Sequence, residues 1–402
     1  MQLSHKLNAI QESATLAITQ KVRNLKASGK DIIGLTLGEP DFDTPLHIRE
    51  AAKKALDDGY THYPPVLGYP ELREAVAQKF RLENQLPYTK DNVMVSNGAK
   101  QCIFNAVMAV INPGDEVILP APFWVSYRAI VEIASGTPIV LSTDIESAYK
   151  VTAEQLESAI TPKTKLIIMS SPSNPSGSMY TREELAELVL VLERHPQVYI
   201  IYDEIYEHIA FEAEHVSLGT FESIFDRVIT INGLSKAFAM TGWRIGFLAA
   251  HPSVVAMCNK LQGQSTSGIN TITQRAAITA LTSSLEPTFM MRDVFRKRRD
   301  MLYPLLQEIE GMKVILPDGA FYFYPDVSAF LGSVAPNGQI LSTIDDLCLY
   351  LIDFGGVALI PSSAFGTKSH IRISYAYSEE TLLEGIKRFQ YAMNALKKPA
   401  FS

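Results

Sequence analysis

The middle of the chain, from about residue 46 to residue 257, alternates stretches of helical periodicity with short runs of apolar residues. This alternation is typical of a parallel or mostly parallel sheet whose strands are joined by crossover helices. The apolar runs predict seven strands, at residues 92–96, 116–119, 138–141, 166–170, 198–202, 228–231 and 244–249. The periodic stretches predict helices at residues 69–81, 101–110, 125–134, 153–159 and 182–193. We therefore expect an α/β fold whose large domain has a mostly parallel seven-stranded sheet flanked by helices.

The pattern changes beyond a long charged helix predicted at residues 290–310. Short strands predicted at residues 319–324, 357–360 and 371–374 alternate with helices, which indicates a smaller α+β domain. The first 45 residues are too irregular to form sheet core. The sequence therefore predicts three parts: an N-terminal segment (1–45) that packs with the small domain, a large domain (46–290), and a small C-terminal domain (291–402).

Composition excludes several classes of protein. Hydrophobic residues at 47% and charged residues at 20% are typical of a soluble globular protein. A formal net charge of -7 argues against nucleic acid or an anionic membrane as the main partner, because both attract a basic surface. No apolar run reaches membrane-spanning length, and charges interrupt the apolar positions of the N-terminus, so we expect neither a membrane span nor a signal peptide.

The cysteines and histidines do not suggest a metal site. The three cysteines lie far apart within apolar runs, so we expect reduced core residues in a cytoplasmic protein. The eight histidines are scattered and form no pair at a ligand spacing within a common element.

Residues 232–246 carry the clearest chemical signal, the segment Asn-Gly-Leu-Ser-Lys-Ala-Phe-Ala-Met-Thr-Gly-Trp-Arg-Ile-Gly. The amine of Lys236 can form an imine, and Ser235 and Arg244 are donor types that hold a phosphate. Pyridoxal phosphate requires this combination. Taken alone, however, a Ser-Lys pair in a glycine-punctuated turn is more often a loop with a solvated lysine.

Turn-forming and polar residues follow several of the predicted strands. They are Asn97-Gly98, Pro120-Ala-Pro122, Ser171-Pro-Ser-Asn-Pro-Ser-Gly177 and Asp203-Glu-Ile-Tyr206. In open α/β sheets ligands bind outside the carboxyl ends of the strands, so these segments are expected to surround a ligand.

The ordered set of motifs closely resembles the class I, fold-type I aminotransferases that use pyridoxal phosphate, and within them the bacterial aspartate aminotransferases. The motifs are Gly-Glu-Pro-Asp-Phe-Asp-Thr-Pro (38–45), Asn-Gly-Ala-Lys-Gln (97–101), Ser-Pro-Ser-Asn-Pro-Ser-Gly (171–177), Asp-Glu-Ile-Tyr (203–206), the Lys236 segment and Arg372. The resemblance extends from about residue 13 to residue 389. It implies pyridoxal 5'-phosphate as cofactor, with amino acids and 2-oxo acids as substrates.

The resemblance assigns catalytic and ring-binding roles to four residues. It implies that Lys236 carries the cofactor as a Schiff base and then moves a proton between the substrate Cα and the cofactor. Asp203 resembles the carboxylate that pairs with the pyridine nitrogen and keeps the ring protonated as an electron sink. Tyr206 and Asn174 resemble the donors to the 3'-oxygen of the ring.

A second group of residues resembles the phosphate and stacking contacts of the family. Gly98, Ala99 and Lys100 follow a strand and open a helix, so their N–H groups suit a phosphate, with Ser235 and Arg244 completing the cup. Trp124 matches the aromatic residue that stacks on the ring, although a core tryptophan would fit the same pattern. Tyr63 matches a phosphate-contacting tyrosine from the other subunit, which implies a homodimer with shared active sites.

The remaining matches concern the substrate. Arg372 resembles the arginine that grips the α-carboxylate, and Gly38 resembles a glycine whose backbone touches the substrate. Trp124 and Asn174 also face the substrate in the family. Lys100 matches a lysine of the aspartate-specific bacterial subgroup and is expected to bind a distal carboxylate, although a solvent-facing lysine in a first helical turn remains an alternative.

The resulting hypothesis is an aminotransferase that moves the amino group of aspartate, or a related amino acid, to 2-oxoglutarate, giving oxaloacetate and glutamate by a ping-pong mechanism. One alternative is a transaminase of broader, aromatic or prephenate specificity. Relatives that aminate prephenate have a basic residue just before Ser-Ala-Thr, where this chain reads Gln11-Glu12-Ser13. Two further alternatives are a carbon–sulfur lyase or synthase on the same fold and a non-enzymatic regulator, although the chain shows no DNA-binding extension.

Overall fold

The computed structural model describes residues 3–8, 10 and 14–397. Its strands are β1 Ile33–Gly34, β2 Val93–Ser96, β3 Glu116–Ala121, β4 Thr137–Ser142, β5 Thr164–Ser170, β6 Tyr199–Asp203, β7 Val228–Gly233, β8 Gly246–Ala249, β9 Tyr322–Phe323, β10 Val357–Ala358, β11 Ile360–Pro361 and β12 Ile371–Ser374. Its helices are α1 His5–Asn8, α2 Ala14–Ala27, α3 Leu46–Asp57, α4 Pro70–Glu83, α5 Ala99–Val110, α6 Ser126–Ile133, α7 Ala153–Ala159, α8 Arg182–Arg194, α9 Pro252–Ser265, α10 Thr271–Thr282, α11 Glu286–Gln307, α12 Ile344–Asp353 and α13 Glu379–Asn394.

The large sheet has seven strands in the order β2-β8-β7-β6-β5-β3-β4. Strands β7, β6, β5, β3 and β4 run parallel to one another, whereas β8 is antiparallel to both β7 and β2. The expected mostly parallel seven-stranded sheet is therefore confirmed. The carboxyl ends of the parallel strands meet at one edge, which is where the polar motifs of the sequence lie.

Both faces of this sheet are covered by helices, which explains why its strands are almost continuously apolar. Successive residues alternate between the two faces. Ile168 and Ile201 pack on the side of α5, α6 and α9, whereas Ile167 and Ile200 pack on the side of α7 and α8. All four side chains are buried, so the sheet is a rigid layer from which the loops at the strand ends project.

A second, smaller core forms beside the large sheet. Strands β11, β12 and β9 make an antiparallel sheet that packs with α11, α12 and α13. Strand β1 pairs in parallel with β10, and Leu35 is buried in the same core. The first 45 residues contribute no strand to the large sheet in the described part of the chain, but the short strand β1 was not expected. The domain boundary near residue 290 stays a prediction, since α11 runs across it without a break.

One predicted strand begins two residues too early. Arg244 has a left-handed backbone (φ 57°) that follows a short 3₁₀ turn at Thr241–Trp243, so β8 begins only at Gly246. The left-handed turn directs the Arg244 side chain toward Gly98 at the amino end of α5. The apolar run alone could not reveal this turn.

Two further findings concern the cysteines and the apolarity of the helices. Cys102, Cys258 and Cys348 are all buried free thiols, as predicted. Among the helices in the described part of the chain, none combines the length and apolarity that crossing a membrane requires.

Candidate active site

A cavity of about 320 Å³ opens at the carboxyl edge of the large sheet, between that sheet and the smaller core. It is lined by Gly38, Ala99, Lys100, Trp124, Val125, Ser126, Tyr127, Ser170, Asn174, Asp203, Ile205, Tyr206, Ser235, Lys236, Arg244, Tyr322 and Arg372. Every site residue expected from the sequence is among them except Gly98 and Tyr63. Residues almost two hundred positions apart in the chain, such as Gly38 and Lys236, meet here.

Lys236 follows β7 and points its ammonium group into the cavity. Its Nζ donates a hydrogen bond of 2.5 Å to the carbonyl oxygen of Gly38. Burial lowers the pKa of Lys236 to about 8; the nearby charges of Arg372 and Arg244 act in the same direction, and that of Glu39 opposes them. A lysine with this pKa is partly neutral near physiological pH and can act as a nucleophile or a base.

Asp203 ends β6 and is 4% exposed. Its carboxylate accepts a hydrogen bond from the Tyr127 hydroxyl at 2.8 Å and one from the Ile205 N–H at 3.2 Å. Burial raises the pKa of Asp203 to about 6, and these two hydrogen bonds oppose the rise. A cationic ring nitrogen placed against Asp203 would favour the ionised carboxylate, because opposite charges attract strongly at short range.

The phosphate end of the cavity is built around Gly98 and Arg244. Gly98 has φ +89° and directly precedes α5. The first N–H groups of α5 have no partner within the helix. A side chain at position 98 would collide with the guanidinium of Arg244, so only glycine lets the two approach. Together with the Ser235 hydroxyl, this arrangement provides donors and positive charge that fit a phosphate group.

Arg372 supplies a buried cation to the cavity lining and is only 2% exposed. Its Nη1 donates to Asn174 Oδ1 at 2.9 Å and its Nη2 to the Thr36 carbonyl at 2.8 Å, while the guanidinium lies 4.5 Å from the centre of the Tyr322 ring. Within residues 3–8, 10 and 14–397, no carboxylate forms an ion pair with it and its Nε has no hydrogen-bond partner. A buried charge without a counter-charge is costly, so the site fits an incoming carboxylate.

Lys100 and Trp124 flank the mouth of the cavity. The Lys100 ammonium lies 5.0 Å from the centre of the Trp124 ring, a cation–π contact. Lys100 is exposed, but its ammonium group is partly desolvated. This desolvation lowers the pKa of Lys100, and the nearby charge of Arg244 lowers it further to a smaller extent. Lys100 adds a further positive charge to the cavity, besides those of Lys236, Arg244 and Arg372.

Six of the lining residues were not anticipated from the sequence, and the side chains of two of them, both tyrosines, contact expected site residues. Tyr127 holds Asp203, and the Tyr322 hydroxyl lies 2.8 Å from that of Tyr206. Tyr127 stands three residues after Trp124 in a predicted helix, and Tyr322 lies in a predicted strand, so both looked like ordinary core aromatics. Their pairing with charged or hydroxyl groups depends on contacts between distant segments.

Tyr63 lies outside this cavity. Its side chain is 96% exposed, an unusual state for a large aromatic residue. A single chain therefore leaves Tyr63 without the phosphate contact expected from the resemblance.

This cavity, at the carboxyl edge of a mostly parallel sheet, contains the kinds of side chain that a pyridoxal-phosphate enzyme of fold type I requires. The family model of class I and II aminotransferases matches residues 30–389, and the chain belongs to this family. It is a pyridoxal-phosphate-dependent transaminase, as the sequence motifs indicated.

Curated relatives cover nearly the whole chain. A probable aspartate/prephenate aminotransferase of Rhizobium leguminosarum bv. phaseoli is 45% identical over 98% of this chain and 99% of its own. A bifunctional aspartate aminotransferase and glutamate/aspartate-prephenate aminotransferase of Petunia hybrida is 45% identical over 99% of this chain and 84% of its own.

Solved structures share the fold. The aspartate aminotransferase of Rhizobium meliloti superposes with a TM-score of 0.96 at 40% identity, covering 99% of this chain and all of that one. The aspartate aminotransferase of Thermus thermophilus with maleate gives a TM-score of 0.91 at 40% identity, covering 98% of this chain and all of that one. The fold class expected from the sequence is thereby confirmed.

Proposed function

We propose that this transaminase moves the amino group of aspartate, or a related amino acid, to 2-oxoglutarate, giving oxaloacetate and glutamate. The observation that carries the proposal is that two cavity cations, Arg372 and Lys100, remain once Lys236 and Arg244 are assigned to the cofactor. Neither forms an ion pair with a carboxylate in the described part of the chain. A dicarboxylic substrate would supply one carboxylate to each, and relatives named aspartate aminotransferase support this choice.

Each cavity residue then has a physical task. Bound pyridoxal phosphate supplies a conjugated ring that accepts electrons from the substrate Cα. Arg372 orients the α-carboxylate, and Lys236, with its lowered pKa, holds and moves the proton at Cα. Asp203 keeps a positive charge on the ring nitrogen, while Tyr206 and the free amide N–H₂ of Asn174 can donate to the ring oxygen.

The same geometry supports a role for the segment around Gly38 in excluding water. The Gly38 carbonyl contacts Lys236, and the carbonyl of Thr36, two residues earlier, contacts Arg372. The segment therefore lies beside both the residue that moves the proton and the residue that binds the α-carboxylate. Movement of this segment onto the substrate would shield the proton in transfer from solvent.

The second candidate function is amination of prephenate in addition to aspartate. It is favoured by relatives named aspartate/prephenate aminotransferase. The Gln11-Glu12-Ser13 sequence argues against it because it lacks the basic residue expected there, and these positions lie outside the described residues. A carbon–sulfur lyase or synthase would retain Lys236 and Arg372 but would release product without a 2-oxo acid acceptor.

We further propose a cytoplasmic homodimer with shared active sites. Exposed Tyr63, carried on the segment before α4, would reach the phosphate of the neighbouring subunit. The three buried thiols support a reducing compartment.

The test is a panel of amino donors assayed with 2-oxoglutarate, with prephenate as an alternative acceptor for glutamate or aspartate. We expect aspartate to be the best donor and turnover to require a 2-oxo acid. Faster turnover of aromatic or aliphatic donors than of aspartate would refute the dicarboxylate assignment. Product formation without an acceptor would instead indicate a lyase.

A further inference from the structure

A buried polar cluster lies directly behind the turn that carries Asp203 and Tyr206, outside the cavity lining. Its centre is Glu207, which is 8% exposed. The Glu207 carboxylate forms an ion pair with Lys79. It also accepts a hydrogen bond of 2.6 Å from Asn84 Nδ2 and one of 2.7 Å from Asn232 Nδ2. Cavity residues and the centre of the cluster thus share one short turn.

These hydrogen bonds join three separate segments. Lys79 belongs to α4, and Asn84 directly follows the last residue of that helix. Glu207 belongs to the turn after β6, and Asn232 belongs to β7. Asn232 is also tied to its own strand, because its Oδ1 accepts from the Gly233 N–H at 2.7 Å. Lys236 follows four residues later.

A carboxylate suits this position better than an amide. Glu207 faces three nitrogen donors, and a carboxylate offers acceptors only, whereas a glutamine would turn its N–H₂ group toward one of those donors. Burial alone would raise the pKa of Glu207, but the charge of Lys79, joined by those of His208 and His215 and by the Asn84 hydrogen bond, holds that pKa below its ordinary value. The charged form is therefore the one that holds the segments together.

The cluster also brings imidazole and carboxylate groups to metal-ligand spacing. Glu83, Glu207 and His208 lie within 4.8 Å of one another, as do Glu204, Glu207 and His215. Both groups depend on Glu207, whose oxygens are already taken by an ammonium and two amides. A metal ion would have to displace these donors beside a buried positive charge, so we assign the cluster no metal.

We propose that Glu207 is a positioning residue for transamination: through Asn232 it fixes the end of β7, and hence Lys236, against the turn that carries Asp203 and Tyr206. The proposal rests on the function assigned to Lys236 and Asp203 above. The backbone adds a second tie at the same place, because the Glu204 N–H donates to the Ile231 carbonyl at 2.9 Å.

The chain offers a matched pair of amides for the test. Asn232 and Asn84 donate hydrogen bonds of nearly equal length to Glu207, but only Asn232 lies on the strand that leads to Lys236. Asn232→Ala and Asn84→Ala should therefore both lower stability against urea. Steady-state kinetics with aspartate and 2-oxoglutarate, and the visible circular dichroism of the bound cofactor, then distinguish them.

Asn232→Ala is expected to lower kcat by roughly tenfold or more with KM within about twofold, and to change the visible dichroism, since misplacing a reacting group acts on the chemical step. Asn84→Ala should keep kcat and dichroism within about twofold of the unmodified enzyme. Should Asn232→Ala not fold, Asn232→Ser, which keeps a small polar group, is measured in its place with the same expectation.

An unchanged kcat and dichroism in the Asn232 variant would overturn the proposal. So would equal losses in the two variants, which would show only that the cluster stabilises the fold. If the unmodified protein binds cofactor but fails to transaminate, the proposed function fails, while the dichroism of the two variants still decides the positioning role.

Discussion

At the scale of single residues, burial shifts the pKa values of Asp203 and Lys236, two residues of the cavity, toward each other. It raises that of Asp203 to about 6 and lowers that of Lys236 to about 8. Both shifts follow from the cost of holding a charge in a poorly solvated pocket. The consequence is a carboxylate that gains from a cationic partner and an amine that is available as a base.

Asp203→Asn should still bind cofactor, because Arg244, Ser235 and the start of α5 are unchanged. It should lose the half-reaction rate by roughly a hundredfold or more, since removing a charge interaction of a few kcal/mol leaves the ring nitrogen unprotonated. Single-turnover measurements with aspartate, together with the cofactor content of the variant, check this. Near-normal turnover would show that the ring does not depend on Asp203.

The pKa of Lys236 predicts how fast the apoprotein takes up cofactor. Attachment requires the neutral amine, and the neutral fraction rises with pH until the pKa is passed. The rate should therefore increase about tenfold per pH unit below pH 8 and level off above it. Stopped-flow absorbance measures this rate, and a rise that continues to pH 10 would indicate a lysine with an ordinary pKa.

Lys100→Ser tests whether Lys100 binds the distal carboxylate of the substrate. Binding of aspartate and 2-oxoglutarate should weaken by roughly 2 to 4 kcal/mol, while neutral donors stay within about 1 kcal/mol, because only a distal carboxylate loses a partner. The ratio of kcat/KM for aspartate to that for a neutral donor gives the answer. Equal losses for both classes would assign Lys100 to the cofactor or the fold.

At the scale of elements, the segment that carries Gly38 is held against α11. Arg298 of α11 makes a two-pronged ion pair with Asp41, at 2.7 and 2.8 Å, and Phe42 packs edge-on against Phe295 with ring centres 5.5 Å apart. Arg298 is 6% exposed. The segment can therefore move as a substrate gate only together with this helix or by breaking an ion pair whose arginine is buried.

Asp41→Asn should lower the free energy of unfolding by about 2 to 3 kcal/mol, because it leaves the buried Arg298 without its charge partner. Asp43→Asn is the control two residues away. Asp43 is exposed and 3.8 Å from Arg49, so its loss should change stability by no more than about 0.5 kcal/mol. Urea unfolding measures both, and similar effects would mean that the Arg298 pair contributes little.

At the scale of the whole molecule, the proposed shared active sites predict complementation between two inactive or weakened chains. Lys236→Ala lacks the reacting amine and Tyr63→Ala lacks the group offered to the neighbour. In a hybrid dimer, the site around the intact Lys236 receives the intact Tyr63. Refolding an equal mixture should thus restore about a quarter of the unmodified activity, since half of the dimers are hybrids with one complete site.

Two control measurements are needed for the complementation experiment. Sedimentation velocity of the unmodified protein should show a dimer, and each variant refolded alone should stay below the activity of the mixture. A mixture no more active than the mean of its parents would place each active site within a single chain.

The amino-acid sequence by itself determined the seven strands of the large sheet, the helices at residues 99–194 between them, the strand ends at which polar residues gather, and the family. These depend on local patterns: apolar runs specify buried strands, and glycines and prolines mark where strands end. Even there, a left-handed residue at Arg244 escaped notice, because backbone conformation in a turn is set by what it packs against.

Only the tertiary structure decided which of these residues meet. Arg372 bonds to Asn174 across 198 positions, Lys236 reaches Gly38 across the same span, and Glu207 joins Lys79 to Asn232 behind the cavity. Contacts of this kind follow from strand order and from the packing of one core against another, which no local periodicity records. Burial does the rest: the pKa values of Asp203 and Lys236 are shifted because the surrounding layers exclude water.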